Sequence, residues 1–240
     1  MTDFAAFLRF YEQLPRQGPG DSVSMVRALD GADLPPDSAM ADAGCGVGAD
    51  IAGLLQHAPN GTVHAVDTHA PFIDVLKQRY AGDPRVTAAA TDMAALTGPY
   101  DLIWCAGTLY FLGLVPGLAA MRQALAPGGV LVFSEPVVHS DTPSPAVTAF
   151  WEGEGHPSLR GDILNTVEAA GFEILTDFTL PDSAWDAYYQ PALAKADELA
   201  PLADAATQEV IAAVRREAAN WAAARAETGY LSVTARALED

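Results

Sequence analysis

Residues 41–50, ADAGCGVGAD, constrain this chain more than any other segment. They read as the end of a strand, a glycine turn and the start of a helix. Gly44, Gly46 and Gly48 let the backbone take positive φ where needed and come close to a ligand. A turn of this kind belongs at the carboxyl edge of a parallel sheet. The spacing Gly44-x-Gly46-x-x-Ala49 also satisfies the loose dinucleotide fingerprint, so the loop alone calls for a nucleotide-type cofactor and leaves its identity open.

The surrounding pattern fits such a sheet. Strand and helix signals alternate from about residue 39 to 178, as in an α/β domain with helices on both faces of a parallel sheet. Strands are expected at 39–43, 62–67, 85–90, 100–105, 130–134 and 172–178. The first, AMADA, has no β-branched residue and is accepted for the loop that follows it. Helices are expected at 50–57, 71–80, 115–125 and 162–170, with two more ahead of the sheet at 4–14 and 22–29. The Pro-, Ser- and His-rich stretch 136–145 reads as a long loop. Beyond the sixth strand, 183–199 and 202–228 are Ala-rich and helical in pattern, and residues 230–238 read as a last strand.

A chain of 240 residues, half of them hydrophobic, suits one domain with an insertion. Its 13 Lys and Arg against 31 Asp and Glu give a net charge of −18, which leaves no basic face for nucleic acid or an anionic membrane. The first residues, MTDFAAFLRFYEQL, read as an amphipathic helix rather than a signal peptide. No stretch approaches the roughly 20 apolar residues of a membrane span. Cys45 and Cys105 form no disulfide framework and lack metal-ligand spacing, as do His57, His64 and His69; no metal is expected, and a cytoplasmic location fits.

Asp42 bears on the choice of cofactor. It stands just before the glycines, where the pyrophosphate of NAD would approach the helix N-terminus, and a carboxylate there opposes that anion. S-adenosylmethionine (SAM) has no phosphate and carries an ammonium and a sulfonium, which a carboxylate favours. The competing role for Asp42 is to cap the turn. Asp67, about 20 residues past the loop and followed by Thr68, is placed to accept ribose hydroxyls, a role common to both cofactors. Asp92 ends the third strand, where it could meet an adenine amino group while Met93 covers the ring; a helix N-cap is the alternative. An oxidoreductase would need a second constellation such as Tyr-x-x-x-Lys, which is absent.

Taken together, D-x-G-C-G-x-G, the later acid Asp67, the T-D-M step at Asp92, YDLIWCAG at 100–107 and LAPGGVLVFSEP at 125–136 resemble class I SAM-dependent methyltransferases. RQGPG at 16–20, W-x-x-G-x-x-Y at 104–110, Phe150-Trp151 and W-x-x-Y-Y-x-P at 185–191 are similar to a set of bacterial small-molecule methyltransferases with no assigned substrate. The resemblance implies a Rossmann-like, seven-stranded, mostly parallel sheet of order 3-2-1-4-5-7-6, the last strand antiparallel. It implies a SAM site at Asp42, Gly44, Cys45, Gly46, Asp67, Thr68, Asp92, Met93 and Cys105. Two positions depart from the pattern. Val47 replaces a frequent Thr or Ser, and Ala106 replaces a frequent Glu.

Ligands of open α/β sheets bind beyond the carboxyl ends of the strands. The acceptor is therefore expected among 106–112, 135–157 and 181–228. Tyr110, Glu135, His139, Glu152 and His156 are candidates to orient or deprotonate it. Trp151, Trp185, Tyr188 and Tyr189 are candidates for its walls, with internal packing the competing role. In-line transfer from a sulfonium can draw most of its rate from positioning, so a base is optional. The insertion 181–228 must lie on the cofactor side and is expected to form a helical lid; its helix around Ile211, Val214 and Trp221 could instead make a dimer contact. The chain is expected to act on a small molecule, as a monomer or homodimer. The rival functions are an NAD(P)-dependent oxidoreductase and a SAM-binding module without activity.

Overall fold

The computed structural model describes residues 3–152 and 156–238, so part of the expected acceptor segment 135–157 lies outside the described residues. In chain order the elements are α1 (Phe4–Tyr11), α2 (Ser22–Leu29), β1 (Ala39–Ala43), α3 (Ile51–His57), β2 (Thr62–Asp67), α4 (Ala70–Arg79), β3 (Val86–Ala90), β4 (Tyr100–Cys105) and α5 (Leu114–Ala124). There follow β5 (Leu125–Val138), α6 (Pro145–Phe150), β6 (Ser158–Leu159), α7 (Arg160–Ala169), β7 (Phe172–Thr179), α8 (Asp182–Leu199), α9 (Ala205–Ala224) and β8 (Thr228–Ala237). Short 3-10 turns span Met93–Ala95, Leu109–Phe111 and Ala200–Leu202.

The sheet runs β3-β2-β1-β4-β5-β8-β7, with β6 a two-residue strand beside the end of β5. β8 is antiparallel to both of its neighbours, and the other pairings are parallel. Leaving β6 aside, this is the order the resemblance implied. The eighth strand is the correction: Ser158 and Leu159 have no alternation long enough to read, and only pairing with Val137 and Val138 makes them a strand.

β5 is much longer than the expected 130–134. β8 pairs with it residue by residue from Val130 to Val138, which carries the strand through Pro136. Proline lacks only the donor, so its carbonyl still serves the ladder. The expected loop 136–145 therefore begins as strand and gives way to α6, which starts at Pro145. α1 ends at Tyr11 rather than residue 14, and α9 is confined to 205–224 behind the turn at 200–202.

Three buried clusters hold the layers. Residues of α2, α3 and α4, among them Leu29, Leu54 and Ile73, pack on one sheet face against Met40, Val63 and Leu102. Leu118 and Met121 of α5 and Ile163 and Val167 of α7 pack on the other, against Ile103, Phe133 and Val233. The third cluster caps the carboxyl ends of the parallel strands and joins α1, α6, α8 and α9. At its centre Trp185 stacks on Trp221, with centroids 3.7 Å apart and planes 15° apart. Such a pair adds about 0.5–1.5 kcal/mol to the burial of its surface. Ile211, Val214 and Trp221, read as a possible dimer face, are buried inside this cluster. The Ala-rich helix spends its apolar stripe within the chain. Asp204 starts that helix, accepting a hydrogen bond from the Thr207 N–H.

Candidate functional site

A cavity of about 270 Å³ opens at the carboxyl edge of the sheet, between the glycine loop and the third cluster. Its floor is the turn after β1. Gly44 has φ of +76°, and a Cβ there would come within 2.5 Å of Thr108 Cγ2, so glycine is required on both counts. Thr108 is fixed by its own hydroxyl, which donates to the Ala43 carbonyl at 2.9 Å and contacts Cys105 Sγ at 3.1 Å. The turns after β1 and β4 are thus locked together.

Asp67 braces the loop from the next strand. Its Oδ2 accepts the Gly46 N–H at 3.0 Å, and its Oδ1 accepts the His69 N–H at 2.8 Å. The His69 ring Nδ1 lies 3.0 Å from the same Oδ1. From above, the segment RQGPG folds over the loop. Gln17 Oε1 accepts the Val47 N–H at 3.0 Å, while its Nε2 donates to the Tyr11 carbonyl at 2.9 Å. Arg16 Nε donates to the Gly18 carbonyl, and Nη2 reaches Asp50 Oδ1 at 3.4 Å. The other Asp50 oxygen accepts the Trp104 indole N–H at 3.0 Å.

The electrostatics at this end are acidic. Asp42 is buried beneath the loop, and burial first, then the charges of Asp50 and Asp67, push its carboxyl well above the usual range. Arg16 opposes that shift. Burial also raises the Cys45 thiol far above its ordinary value, and the Cys105 thiol to about 12. Both thiols stay protonated, which removes them as nucleophiles at neutral pH.

The cavity brings together several of the residues singled out in the sequence: Gly44, Cys45, Gly46 and Asp67 at one end, Tyr110, Trp151, Trp185 and Tyr188 at the other. Ala106 lines it with a methyl group where a carboxylate is frequent. Other expected residues stand outside the lining. Thr68 is exposed beside His69, and Asp92 caps the 3-10 turn at 93–95 by accepting the Ala94 N–H at 2.8 Å. That is the N-cap alternative in place. Met93 Sδ and Cys105 Sγ meet at 3.8 Å beside the core under α5. Tyr189 donates to Glu217 Oε1 at 3.0 Å from behind the wall.

The acid–base candidates also separate. Alternation along β5 sets Glu135 on the face of Phe133 and Val137, opposite Ser134, and burial raises its carboxyl to about 7. Ser134, on the opposite face, accepts the Gly107 N–H at 2.7 Å. His139 is exposed, with Nδ1 3.4 Å from the Ala226 carbonyl. Glu152 and His156 border a separate open groove beside α6.

Sequence reasoning missed Phe7, Tyr11, Arg16, Gln17, Asp50, Phe72, Glu217 and Tyr230, all of which line the cavity. Arg16, Gln17 and Asp50 fall in quoted motifs but received no role, and no local pattern marks the others, because their partners are distant in sequence. Among the described residues no group of three His, Cys, Asp or Glu is arranged to hold a metal ion, and no helix is long and apolar enough to cross a membrane.

The strand that leads into the glycine loop opens a match to the family model described as a methyltransferase domain, spanning residues 41–131. The match covers less than half of the chain. It runs from the end of β1 into β5, so it contains the loop, Asp67 and Thr108. The chain is 32% identical over 171 residues to trans-aconitate 2-methyltransferase of Streptomyces avermitilis, covering 65% of this chain and 63% of that protein. It is 31% identical over 115 residues to the Deinococcus radiodurans enzyme of the same name, covering 48% and 44%. The chain thus spans less than two thirds of the length of these relatives.

Similarity of fold extends further than this match. A SAM-dependent methyltransferase from Geobacter sulfurreducens, solved with S-adenosylhomocysteine, superposes with a TM-score of 0.80 at 17% identity, covering 98% of this chain and 99% of that one. One from Thiobacillus denitrificans, solved with the same ligand, also gives 0.80 at 17% identity, covering 100% and 99%. The chain shares the fold of these two structures over nearly its whole length.

Proposed function

We propose that the chain is a SAM-dependent methyltransferase acting on a small molecule. The observation that carries this reading is the division of one cavity into two chemically different ends. The glycine loop, Asp50 and Asp67 form an acidic end, and the aromatic residues of α8 and β8 form the other. A SAM molecule needs backbone donors, a ribose acceptor and negative potential, and a dinucleotide needs room for a pyrophosphate. Asp50 and Asp67 line the place that an NAD pyrophosphate would take. The residues fit SAM.

Bound there, SAM would supply an electrophilic methyl group on a sulfonium. Asp67 would accept the ribose hydroxyls, since each carboxylate oxygen can take more than one hydrogen bond. Gly44 to Gly46 would let the backbone approach the amino-acid portion. Phe7 and Phe72, with His69, would cover the nucleoside from the α1 side. Thr68, Asp92, Met93 and Cys105 would support this end from outside the cavity. α8 and α9 would serve as the lid, keeping water from the reacting atoms. Tyr110 stays in the reading as a positioning group. Glu135 and His139 do not, because neither lines the cavity.

The test is calorimetry of the purified chain with S-adenosylhomocysteine, SAM and NAD. Binding of the first two and not the third is expected. NAD binding tighter than SAM binding would replace this reading with an oxidoreductase.

A further inference from the structure

We propose that the methyl acceptor is a small amine, held as its cation between aromatic faces and the Glu217 carboxylate on the α8–α9 side of the cavity. This rests on the methyltransferase reading and names the substrate class of that same site. The residues that α6, its C-terminal neighbour, α8, α9 and β8 contribute to the lining are Phe150, Trp151, Trp185, Tyr188, Glu217 and Tyr230. Five are aromatic, one is acidic and none is basic. Aromatic faces carry negative charge at their centres and attract a cation placed within about 6 Å, more strongly when water is excluded. Trp185 and Tyr230 stack with centroids 5.1 Å apart, and Tyr230 reaches the Tyr110 hydroxyl at 3.1 Å, so the wall is rigid.

Charge over the whole cavity points the same way. Asp50, Asp67 and Glu217 line it against the single guanidinium of Arg16, which already faces Asp50. An anionic acceptor would enter an adverse field, and a net charge of −18 adds to it at long range. Trans-aconitate, named for the Streptomyces and Deinococcus relatives, carries three carboxyl groups and fits this wall poorly. The buried indole N–H of Trp185 has no acceptor among the described residues. A neutral oxygen on the bound amine would supply one.

The chemistry suits the wall. The ammonium gives its proton to solvent, and the freed nitrogen lone pair forms the new N–C bond. The S–C bond breaks with its pair left on sulfur, so positive charge passes from sulfur to nitrogen. Aromatic faces and a carboxylate placed where that charge appears favour the transition state over the neutral amine.

Calorimetry on the full chain saturated with S-adenosylhomocysteine tests this with three probes: choline, its neutral isostere 3,3-dimethylbutan-1-ol, and trans-aconitate. Choline should bind about tenfold tighter than the isostere, the scale of a cation–π contact with a nearby carboxylate. Glu217→Gln should lose about that factor for choline and leave the isostere and S-adenosylhomocysteine within about twofold. Equal binding of choline and the isostere, no choline binding, or tighter trans-aconitate binding would each overturn the proposal. The saturation step reads the underlying assignment separately, because failure of S-adenosylhomocysteine to bind would remove the methyltransferase reading and this inference with it.

Discussion

The side chain of Gln17 satisfies the backbone of Val47, thirty positions away: its Oε1 accepts the Val47 N–H at 3.0 Å. Val47 looked like a loss in the sequence, since it removes a hydroxyl from the glycine loop. The structure returns an acceptor from outside the loop. The same amide holds the end of α1 through the Tyr11 carbonyl, so one residue ties the N-terminal helix to the cofactor turn. Gln17→Ala should therefore cost about 1–2 kcal/mol, from two hydrogen bonds of ordinary net worth. It should also weaken S-adenosylhomocysteine severalfold. Urea unfolding and calorimetry on the same protein check both, and a variant unchanged in each would mean the contact holds nothing in place.

Gly44→Ala should be more damaging. The substitution forces a side chain into left-handed backbone and drives a methyl group against Thr108. A loss of about 2–4 kcal/mol is expected, with cofactor binding abolished or strongly reduced. Thr108→Ala combined with it relieves the clash and leaves the strain, so the double variant should recover only part of the loss. Full recovery would show that the φ requirement is unimportant.

Asp67→Ala should weaken S-adenosylhomocysteine by about 1.5–3 kcal/mol, the worth of hydrogen bonds to a charged acceptor. Part of this comes through the protein itself, because the Gly46 and His69 N–H groups lose their acceptor. Asp67→Asn keeps one oxygen, able to accept only one of these N–H groups, so it should restore part of the stability and little of the affinity. An unchanged dissociation constant in folded Asp67→Ala would place the ribose elsewhere.

How much of this was legible depended on distance along the chain. The glycine loop, the acid after β2 and the alternation of strands and helices are local signals; they called for a parallel α/β sheet, and the strand order came only with the resemblance they carry. Topology alone put 181–228 on the cofactor side, because β8 must begin where β7 ends. What was not legible came from partners far apart. RQGPG stands out as a motif but gives Arg16 and Gln17 no role, and only the folded chain brings them to Asp50 and Val47. α6 has too few residues for a period to show, and β5 runs through Pro136 because β8 pairs there. Asp92, Met93 and Cys105 were assigned by position in the strand order, yet their side chains turn to a 3-10 cap and to the core.

Glu135 should make stability fall as pH rises. Its folded carboxyl titrates at about 7, raised by burial from the ordinary 4.5, so the native state holds a proton that the unfolded chain has released. Below about pH 4.5 both states are protonated and the residue contributes no pH dependence. Between 4.5 and 7 stability declines, by a total of order 2–4 kcal/mol, and above 7 the decline from this group stops. Glu135→Gln should remove that slope and gain most at pH 8. Urea unfolding of both proteins at pH 5 and 8 gives the answer, and an equal difference at both values would mean the carboxyl titrates normally.

The last prediction concerns Arg16, the one guanidinium lining the cavity. It is largely buried, its Nε is committed to the Gly18 carbonyl, and its contact with Asp50 is long at 3.4 Å. A guanidinium has five N–H donors, so Nη1 and part of Nη2 are available for an anion. In the proposed pose the nearest anion is the carboxylate on the amino-acid portion of SAM. Arg16→Ala should then weaken S-adenosylhomocysteine by about 1.5–3 kcal/mol, the scale of a charge-assisted pair. The affinity for 5′-methylthioadenosine, which shares the nucleoside and lacks the amino acid, should stay within about twofold. The competing role is purely structural, with Arg16 fastening RQGPG to Asp50. A structural role would lower both affinities together, because the whole loop would loosen. Calorimetry with the two ligands on wild type and variant separates the cases, and equal losses would end the carboxylate assignment.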